Sequence, residues 1–161
     1  MLAKLHHPNI VRFFGVASHA QHVFVVTEFL PSSLGAHVAA TDVSLRHFFD
    51  LLLGVAEGLA FLHRRRTAHR DVKPSNVLVE PPRTAKLCDF GLSKMADAKR
   101  AEATMTAGVG TPAFMPPEVI TGEASDARHR PASADVFSYG MLVVAAWTRK
   151  APFAASAGDA P

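Results

Sequence analysis

Four polar side chains near the middle of the chain have the types and spacing that phosphoryl transfer needs. Asp71 can accept a proton from an attacking hydroxyl, and Lys73 can offset the charge of a transferred phosphate. Asn76 and Asp89 offer hard oxygen ligands of the kind that Mg²⁺ prefers. Phosphoryl transfer depends on positioning and charge neutralisation more than on covalent chemistry, so these residue types suit it.

The positions of these side chains in the sequence distinguish them from ordinary surface residues. Taken alone, each residue type is more often a surface group. Asn76 comes directly before the apolar run 77–79, and Asp89 comes directly after the run 85–88. Both runs are predicted strands, and prolines between them indicate a turn. A hairpin of these strands would bring Asn76 and Asp89 together, although thirteen positions separate them.

A periodic segment precedes this stretch and predicts an amphipathic helix over residues 44–63. Ser44 is a suitable N-cap, and we interpret the apolar stripe as core packing. Gly54 and Gly58 should each weaken the helix by about 1 kcal/mol relative to alanine, which burial should outweigh. The apolar positions of the stripe are Leu45, Phe48, Leu52, Val55, Leu59 and Leu62.

Hydrophobic patterns and proline positions also predict the secondary structure of the flanking segments. Residues 1–7 resemble the end of a helix that Pro8 stops. Residues 10–16 are β-prone, and the apolar run 23–26 predicts a short strand of the buried kind. Towards the other end, residues 133–147 predict an apolar helix.

Composition narrows the class of protein. The 161 residues are 48% hydrophobic and 19% charged, which is typical of a globular domain, and the net charge is only +3. The single cysteine, Cys88, excludes an intrachain disulfide and favours a reducing compartment. We interpret the basic run 64–66 as the solvated end of a helix rather than a nucleic-acid or nuclear signal. No apolar run is long enough to span a bilayer, so we expect a cytoplasmic location, with the nucleus as the alternative.

Two motifs then identify a family that the chain resembles. Residues 69–76 read H-R-D-V-K-P-S-N, and residues 89–91 read D-F-G. This pair is similar to the H-R-D-x-x-x-x-N and D-F-G motifs of the eukaryotic-type protein kinases. The resemblance implies an α+β fold made mostly of the helical C-lobe, with the hinge and part of the N-lobe sheet.

The resemblance also implies a division of the chain. Residues 1–26 would hold the end of the regulatory helix and N-lobe strands, residues 27–30 the hinge, and residues 31–161 the C-lobe. No glycine-rich loop or strand lysine precedes the hinge, and the last helices do not follow, so we expect a domain incomplete at both ends. The whole range, 1–161, would be a partial kinase domain.

Roles in the active site follow from the resemblance, residue by residue. Asp71 would be the catalytic base, Lys73 would contact the γ-phosphate of ATP, and Asn76 and Asp89 would hold Mg²⁺. His69 would be structural, packed against Phe90, and would not act as a base.

Nucleotide binding is assigned in the same way. The segment of Thr27, Glu28, Phe29 and Leu30 resembles the hinge that bonds adenine through its backbone, with Thr27 as gatekeeper. Leu78 would lie beneath the adenine ring, while Cys88 would either face the nucleotide site or simply fill space. Asp135 resembles the aspartate that holds the catalytic-loop backbone.

Regulation is implied by Arg70, which marks kinases whose activation loop is ordered by phosphorylation. Thr104 and Thr106 are the candidate acceptors, with Ser93 less favoured, and we expect an upstream activating kinase. Thr111 resembles the threonine that bonds the catalytic Asp and Lys.

The substrate class follows from the form of the catalytic loop. Lys73-Pro74-Ser75-Asn76 resembles the Ser/Thr form, and the hinge and the run 110–118 resemble the tyrosine-kinase-like group of Ser/Thr kinases. We therefore expect a protein substrate with a Ser or Thr acceptor, and neither nucleic acid nor membrane as partner. The alternative is a catalytically weak kinase-like fragment that acts as a regulatory binding module.

Overall fold

The computed structural model describes residues 5–20, 22–80, 82, 84–89, 112–121 and 131–154. Two small antiparallel sheets and four α-helices account for most of these residues, which confirms the predicted α+β class. Among the helices in these ranges, none combines the length and apolar character needed to cross a membrane.

The first sheet is a hairpin of β1 (Phe13–His19) and β2 (His22–Thr27). The predicted strand over residues 23–26 is therefore confirmed, but the prediction that it is buried is wrong. Every residue of β2 is exposed, with Val23 at 72% of its full accessibility. An apolar run predicts a strand, but burial depends on a partner layer that the run cannot specify.

The segment before this hairpin also differs from expectation. Residues 5–7 are not helical, so the predicted helix does not extend to His7. Ile10 instead forms an isolated parallel bridge with Leu87. Two backbone hydrogen bonds of 2.9 Å, from the amide of Val11 to Leu87 O and from the amide of Leu87 to Asn9 O, fix this chain segment against the second sheet.

The second sheet contains β3 (Ser32–Ser33), β4 (Val77–Glu80) and β5 (Thr84–Leu87), in that order. The predicted hairpin is β4 paired with β5, in a register that places Val77 opposite Leu87 and Leu78 opposite Lys86. Val77 and Val79 are fully buried while Leu78 is half-buried. Successive side chains of β4 therefore alternate between the core and the more exposed face of the sheet.

Helix α1 (Leu34–Ala40) and helix α2 (Leu45–Arg64) contribute many of the buried side chains of the main core. The predicted N-cap is confirmed, because Ser44 Oγ accepts from the amide of His47 at 3.3 Å. Most of the predicted stripe of α2 is buried, but the prediction is wrong for Leu45, which is 60% exposed in the first turn. The basic run at the end of α2 is exposed, as predicted.

The glycines of α2 allow a close approach that the periodicity did not indicate. A Cβ added at Gly54 would lie 2.6 Å from Asn9 Nδ2. A Cβ added at Gly58 would lie 2.8 Å from Asn9 O and 2.9 Å from Leu87 Cδ1. The two glycines therefore let α2 pack directly on the Asn9 segment and on β5.

The remaining helices are the single turn α3 (Pro117–Ile120) and the long α4 (Pro131–Thr148). Helix α4 matches the apolar helix predicted over residues 133–147. It packs Leu142 and Ala146 into the main core, and Tyr139 OH donates to the carbonyl of Leu52 at 3.1 Å. This core joins α1, α2, α4 and the second sheet beneath the catalytic loop.

Candidate active site

The buried carboxylate of Asp135 binds the backbone of the loop between α2 and β4. Asp135 is fully buried in α4, and its two oxygens accept from the amides of His69 at 2.8 Å and Arg70 at 2.7 Å. Its Oδ2 also lies 2.7 Å from Nε2 of His63 on α2. The predicted contact of Asp135 with the backbone of residues 69 and 70 is therefore confirmed.

His69 lies in the core and is fully buried. Burial lowers the pKa of this histidine, and the nearby carboxylates of Asp135 and Asp71 offset the effect only in part. Its Nδ1 accepts from the amide of Asp71 at 3.3 Å, so a neutral ring carries its proton on Nε2. A buried neutral imidazole that supports the backbone fits the predicted structural role, although Phe90, its predicted partner, lies outside the described residues.

Arg70 turns the chain towards the site. It adopts a left-handed backbone conformation with φ of 71°, which is uncommon for a residue other than glycine, and its side chain is exposed. The hydrogen bond from the backbone amide of Arg70 to Asp135 Oδ1 helps to hold this conformation in place. The regulatory residues predicted to act with Arg70, namely Thr104, Thr106 and Thr111, lie outside the described residues, as does Ser93.

Asp71, Lys73 and Asn76 meet at one carboxylate oxygen. Asp71 Oδ2 lies 2.8 Å from Lys73 Nζ and 2.7 Å from Asn76 Nδ2. Asn76 Nδ2 also donates to the backbone carbonyl of Asp71 at 2.8 Å. Within the described ranges no donor contacts the other oxygen, Oδ1, and the Asp71 side chain is 40% exposed. Among the described residues, one oxygen of the carboxylate is thus fixed while the other has no donor.

The predicted proximity of Asn76 and Asp89 rests on the pairing of β4 with β5. A 3₁₀ turn over Pro74–Asn76 leads into β4, and the amide of Cys88 donates to Asn76 O at 3.0 Å. Asp89 follows Cys88 in a left-handed conformation with φ of 60° and is exposed.

These two residues suit a magnesium ion. Asn76 uses its Nδ2 group to bind Asp71, so its Oδ1 is the atom available for a metal, and Asp89 adds a carboxylate. Mg²⁺ commonly takes one or two protein oxygens and completes its shell with phosphate and water. The described residues contain no cluster of three or more His, Cys, Asp or Glu side chains that could enclose a metal.

The predicted hinge connects β2 of the first sheet to β3 of the second. Thr27 ends β2 and is exposed, Phe29 is 88% exposed, and Leu30 is buried. The side chain of Glu28 is fixed at both oxygens, by the amide of Arg12 at 2.6 Å and by Lys86 Nζ at 2.8 Å. Leu78 is half-buried on β4, opposite Lys86.

Sequence reasoning missed Lys86, which joins the hinge to β5. Burial opposes the charge of this amine, but contacts with Glu28 at 2.8 Å and Glu80 at 3.0 Å outweigh it and raise the pKa of Lys86. The alternation of β5 places Lys86 on the same sheet face as Leu78, and that signal could have indicated its position.

Cys88 is shielded rather than reactive. Burial, reinforced by the negative charge of Asp89, raises the pKa of its thiol to about 12. Since the thiolate is the nucleophile, this thiol is a poor target for electrophiles at neutral pH.

Comparison with known proteins gives a consistent result. A family model described as protein kinase domain matches residues 1–160. The chain is 33% identical over 156 residues to serine/threonine-protein kinase STY46 of Arabidopsis thaliana, which covers 95% of this chain and 26% of that protein. It is 32% identical over 154 residues to rust resistance kinase Lr10 of Triticum aestivum, covering 89% of this chain and 24% of that protein.

A third relative, probable serine/threonine-protein kinase SIS8 of Arabidopsis thaliana, is 35% identical over 158 residues, which cover 95% of this chain. The match spans 15% of that relative's length. This chain therefore corresponds to about a quarter or less of each of these three proteins.

Proposed function

The chain belongs to the protein kinase family, and we propose that it transfers the γ-phosphoryl group of ATP to Ser or Thr hydroxyls of a protein substrate. One observation carries this proposal: Asp71 Oδ2 is held by both Lys73 Nζ and Asn76 Nδ2, at 2.8 and 2.7 Å. A carboxylate fixed on one side and open on the other is suited to orient a hydroxyl group.

In the proposed mechanism, Asp71 acts as the catalytic base. Its other oxygen, Oδ1, would accept a hydrogen bond from the substrate hydroxyl and take the proton as that hydroxyl attacks the γ-phosphorus, while the bond from this phosphorus to the bridging oxygen breaks and ADP leaves. Lys73 carries three donors, so it can keep its contact with Asp71 while it also binds an oxygen of the transferred phosphate. Asn76 and Asp89 would hold Mg²⁺ through their side-chain oxygens, and the metal would neutralise the phosphate charge of bound ATP.

We assign nucleotide binding to the hinge and to β4. Backbone groups of the segment Thr27, Glu28, Phe29 and Leu30 would bond the adenine edge, and Leu78 would pack against its face. The contacts of Glu28 with Lys86 and with the Arg12 amide support this assignment, because they hold the hinge backbone in one position. The proposed division of the chain into 1–26, 27–30 and 31–161 follows from this position of the hinge.

Regulation would act through Arg70. A phosphate on Thr104 or Thr106, added by an upstream kinase, would pair with its guanidinium, and Thr111 would bond the catalytic Asp and Lys. The exposed side chain of Arg70 supports this proposal, since a guanidinium at the surface can reach a phosphorylated loop.

The experiment that tests the proposed function offers the full chain γ-labelled ATP, Mg²⁺ and separate peptide mixtures with Ser, Thr or Tyr acceptors. We expect label on Ser and Thr peptides, little on Tyr peptides, and none after EDTA removes the metal. Nucleotide binding without any transfer would contradict the proposal and favour the alternative, a kinase-like fragment that acts as a regulatory binding module. Transfer confined to Tyr peptides would contradict the substrate class alone.

A further inference from the structure

An open cavity of about 330 Å³ lies beside the candidate active site. Catalytic-loop residues Lys73, Pro74 and Ser75 form one of its walls, and Arg149 and Lys150, at the end of α4, form another. The cavity adjoins the candidate base, because Lys73 lines it and places its Nζ 2.8 Å from Asp71 Oδ2. A protein chain with its acceptor hydroxyl at Asp71 would have this cavity next to it.

The charge of the cavity is one-sided. Its lining contains three cations and no Asp or Glu among the residues that the structure describes. Lys73 is engaged with Asp71, but no described carboxylate lies within ion-pair distance of Arg149 or Lys150. The one side-chain hydrogen bond of Arg149 in the same ranges is a long contact of 3.5 Å with Thr41 O. Among the described residues, most of the donors of this guanidinium therefore have no partner.

The backbone of Arg149 is unusual for its position. It follows the last residue of α4 with φ of 57°, in the left-handed region where glycine is the favoured residue after a helix. An arginine adopts this backbone conformation less readily than glycine does. Here it places a guanidinium group at the cavity. A cation near a helix C-terminus also complements the helix dipole, so the side chain has a structural explanation that a test must separate from recognition.

We infer that Arg149 and Lys150 recognise an acidic side chain of the protein substrate, either a carboxylate or a phosphate, close to the acceptor residue. A guanidinium binds both groups through two parallel hydrogen bonds, and the neighbouring amine adds charge. An extended peptide advances about 3.3–3.6 Å per residue, so the test samples each position from two to five residues on either side of the acceptor. This inference rests on the proposed function and adds the substrate class to it.

The test compares peptides that differ only at those positions. With the full chain, kcat/KM is measured for Ser-acceptor peptides that carry Gln, Glu or phosphoserine at each position from two to five residues on either side of the acceptor. We expect Glu or phosphoserine to be preferred over Gln at one or two adjacent positions, and the preference to shrink as salt rises. The Glu and phosphoserine peptides distinguish a carboxylate from a phosphate as the ligand.

Two matched variants separate recognition from helix capping. Arg149→Gly keeps the left-handed backbone favourable, so Tm should be unchanged or higher, while the acidic preference falls about tenfold with the loss of a charge-assisted hydrogen bond. Arg66→Gly is the control, because Arg66 is exposed and follows α2 with φ of 54°, away from the cavity lining. It should keep the wild-type preference.

The outcomes also separate this inference from the proposed function. Phosphorylation of all peptides with equal kcat/KM would overturn the inference and leave the kinase function intact. If no peptide is phosphorylated, fluorescence anisotropy of the labelled Glu and Gln peptides still measures recognition. Equal affinities in that assay, or a preference that survives Arg149→Gly, would overturn the inference.

Discussion

The side chain of Asn9 donates a buried hydrogen bond of 2.9 Å from Nδ2 to the carbonyl oxygen of Ala85, 76 positions later in the chain. This contact ties the segment before the first hairpin to the strand that leads to Asp89. It also explains why the neighbouring helix α2 contains a glycine at position 54. The Asn9 side chain occupies the space that a Cβ at Gly54 would need.

Alanine at these glycines should therefore destabilise the protein, although alanine is the better helix former. For Gly54→Ala and Gly58→Ala, we expect the free energy of unfolding to fall by about 1–3 kcal/mol, because overpacking outweighs a propensity gain of about 1 kcal/mol. Urea unfolding measures the change. Gly140→Ala is the matched control, because Gly140 lies in α4 with nothing within 4 Å of an added Cβ, and it should stabilise by up to about 1 kcal/mol. Stabilisation at all three positions would refute the packing argument.

The sequence predicted the local framework of the site well and the contacts between segments poorly. The Ser44 cap, the α2 stripe and the β4–β5 hairpin depend on periodicity and turn residues within a few positions of each other. The Asn9–Ala85 bond and the Glu28–Lys86 ion pair join residues that are distant in the chain, and no local pattern specifies them. The prediction that residues 23–26 are buried was wrong for the same reason, because burial depends on contacts with distant parts of the chain.

Asp135 should be sensitive even to a substitution that preserves its shape. In Asp135→Asn, the side chain retains one acceptor oxygen, so one of the amides of His69 and Arg70 loses its buried partner. We expect a loss of about 1–3 kcal/mol in the free energy of unfolding, together with reduced phosphoryl transfer. Asp42→Asn, at an exposed carboxylate, serves as the control and should change neither. An Asp135→Asn protein as stable as the wild type would show that these bonds do not hold the loop.

His69 makes stability depend on pH in a direction fixed by its burial. Because burial lowers the pKa of His69 in the folded protein, the unfolded chain takes up this proton more readily than the folded protein as pH falls below about 6.5, the ordinary value. Stability from the neutral ring is thus present above pH 6.5 and is lost below it, by up to about 1.4 kcal/mol between pH 7.5 and 5.5.

Urea unfolding at the two pH values tests this dependence. His69→Leu should reduce the difference between pH 7.5 and 5.5, whereas His19→Leu, at an exposed histidine, should keep the wild-type difference. An unchanged pH difference in His69→Leu would rule out the proposed role of this histidine.

Cys88 should react slowly in the folded protein because burial raises its pKa to about 12. It is the only cysteine, so total labelling by iodoacetamide reports on this thiol alone. At pH 8 we expect a rate at least about 100-fold lower than in urea, since the reactive thiolate is correspondingly rare. Similar rates in the folded and unfolded protein would show that the thiol is not shielded.

The most direct test of the whole account is phosphoryl transfer by Asp71→Asn. The substitution keeps the size of the side chain but removes the proton acceptor, so we expect transfer to Ser and Thr peptides to fall by at least about 100-fold. Glu57→Gln, the same exchange of carboxylate for amide at an exposed position of α2, should keep wild-type activity. Near-UV circular dichroism should be used to check that both variants are folded. Wild-type activity in a folded Asp71→Asn protein would contradict the assignment of catalysis to this site.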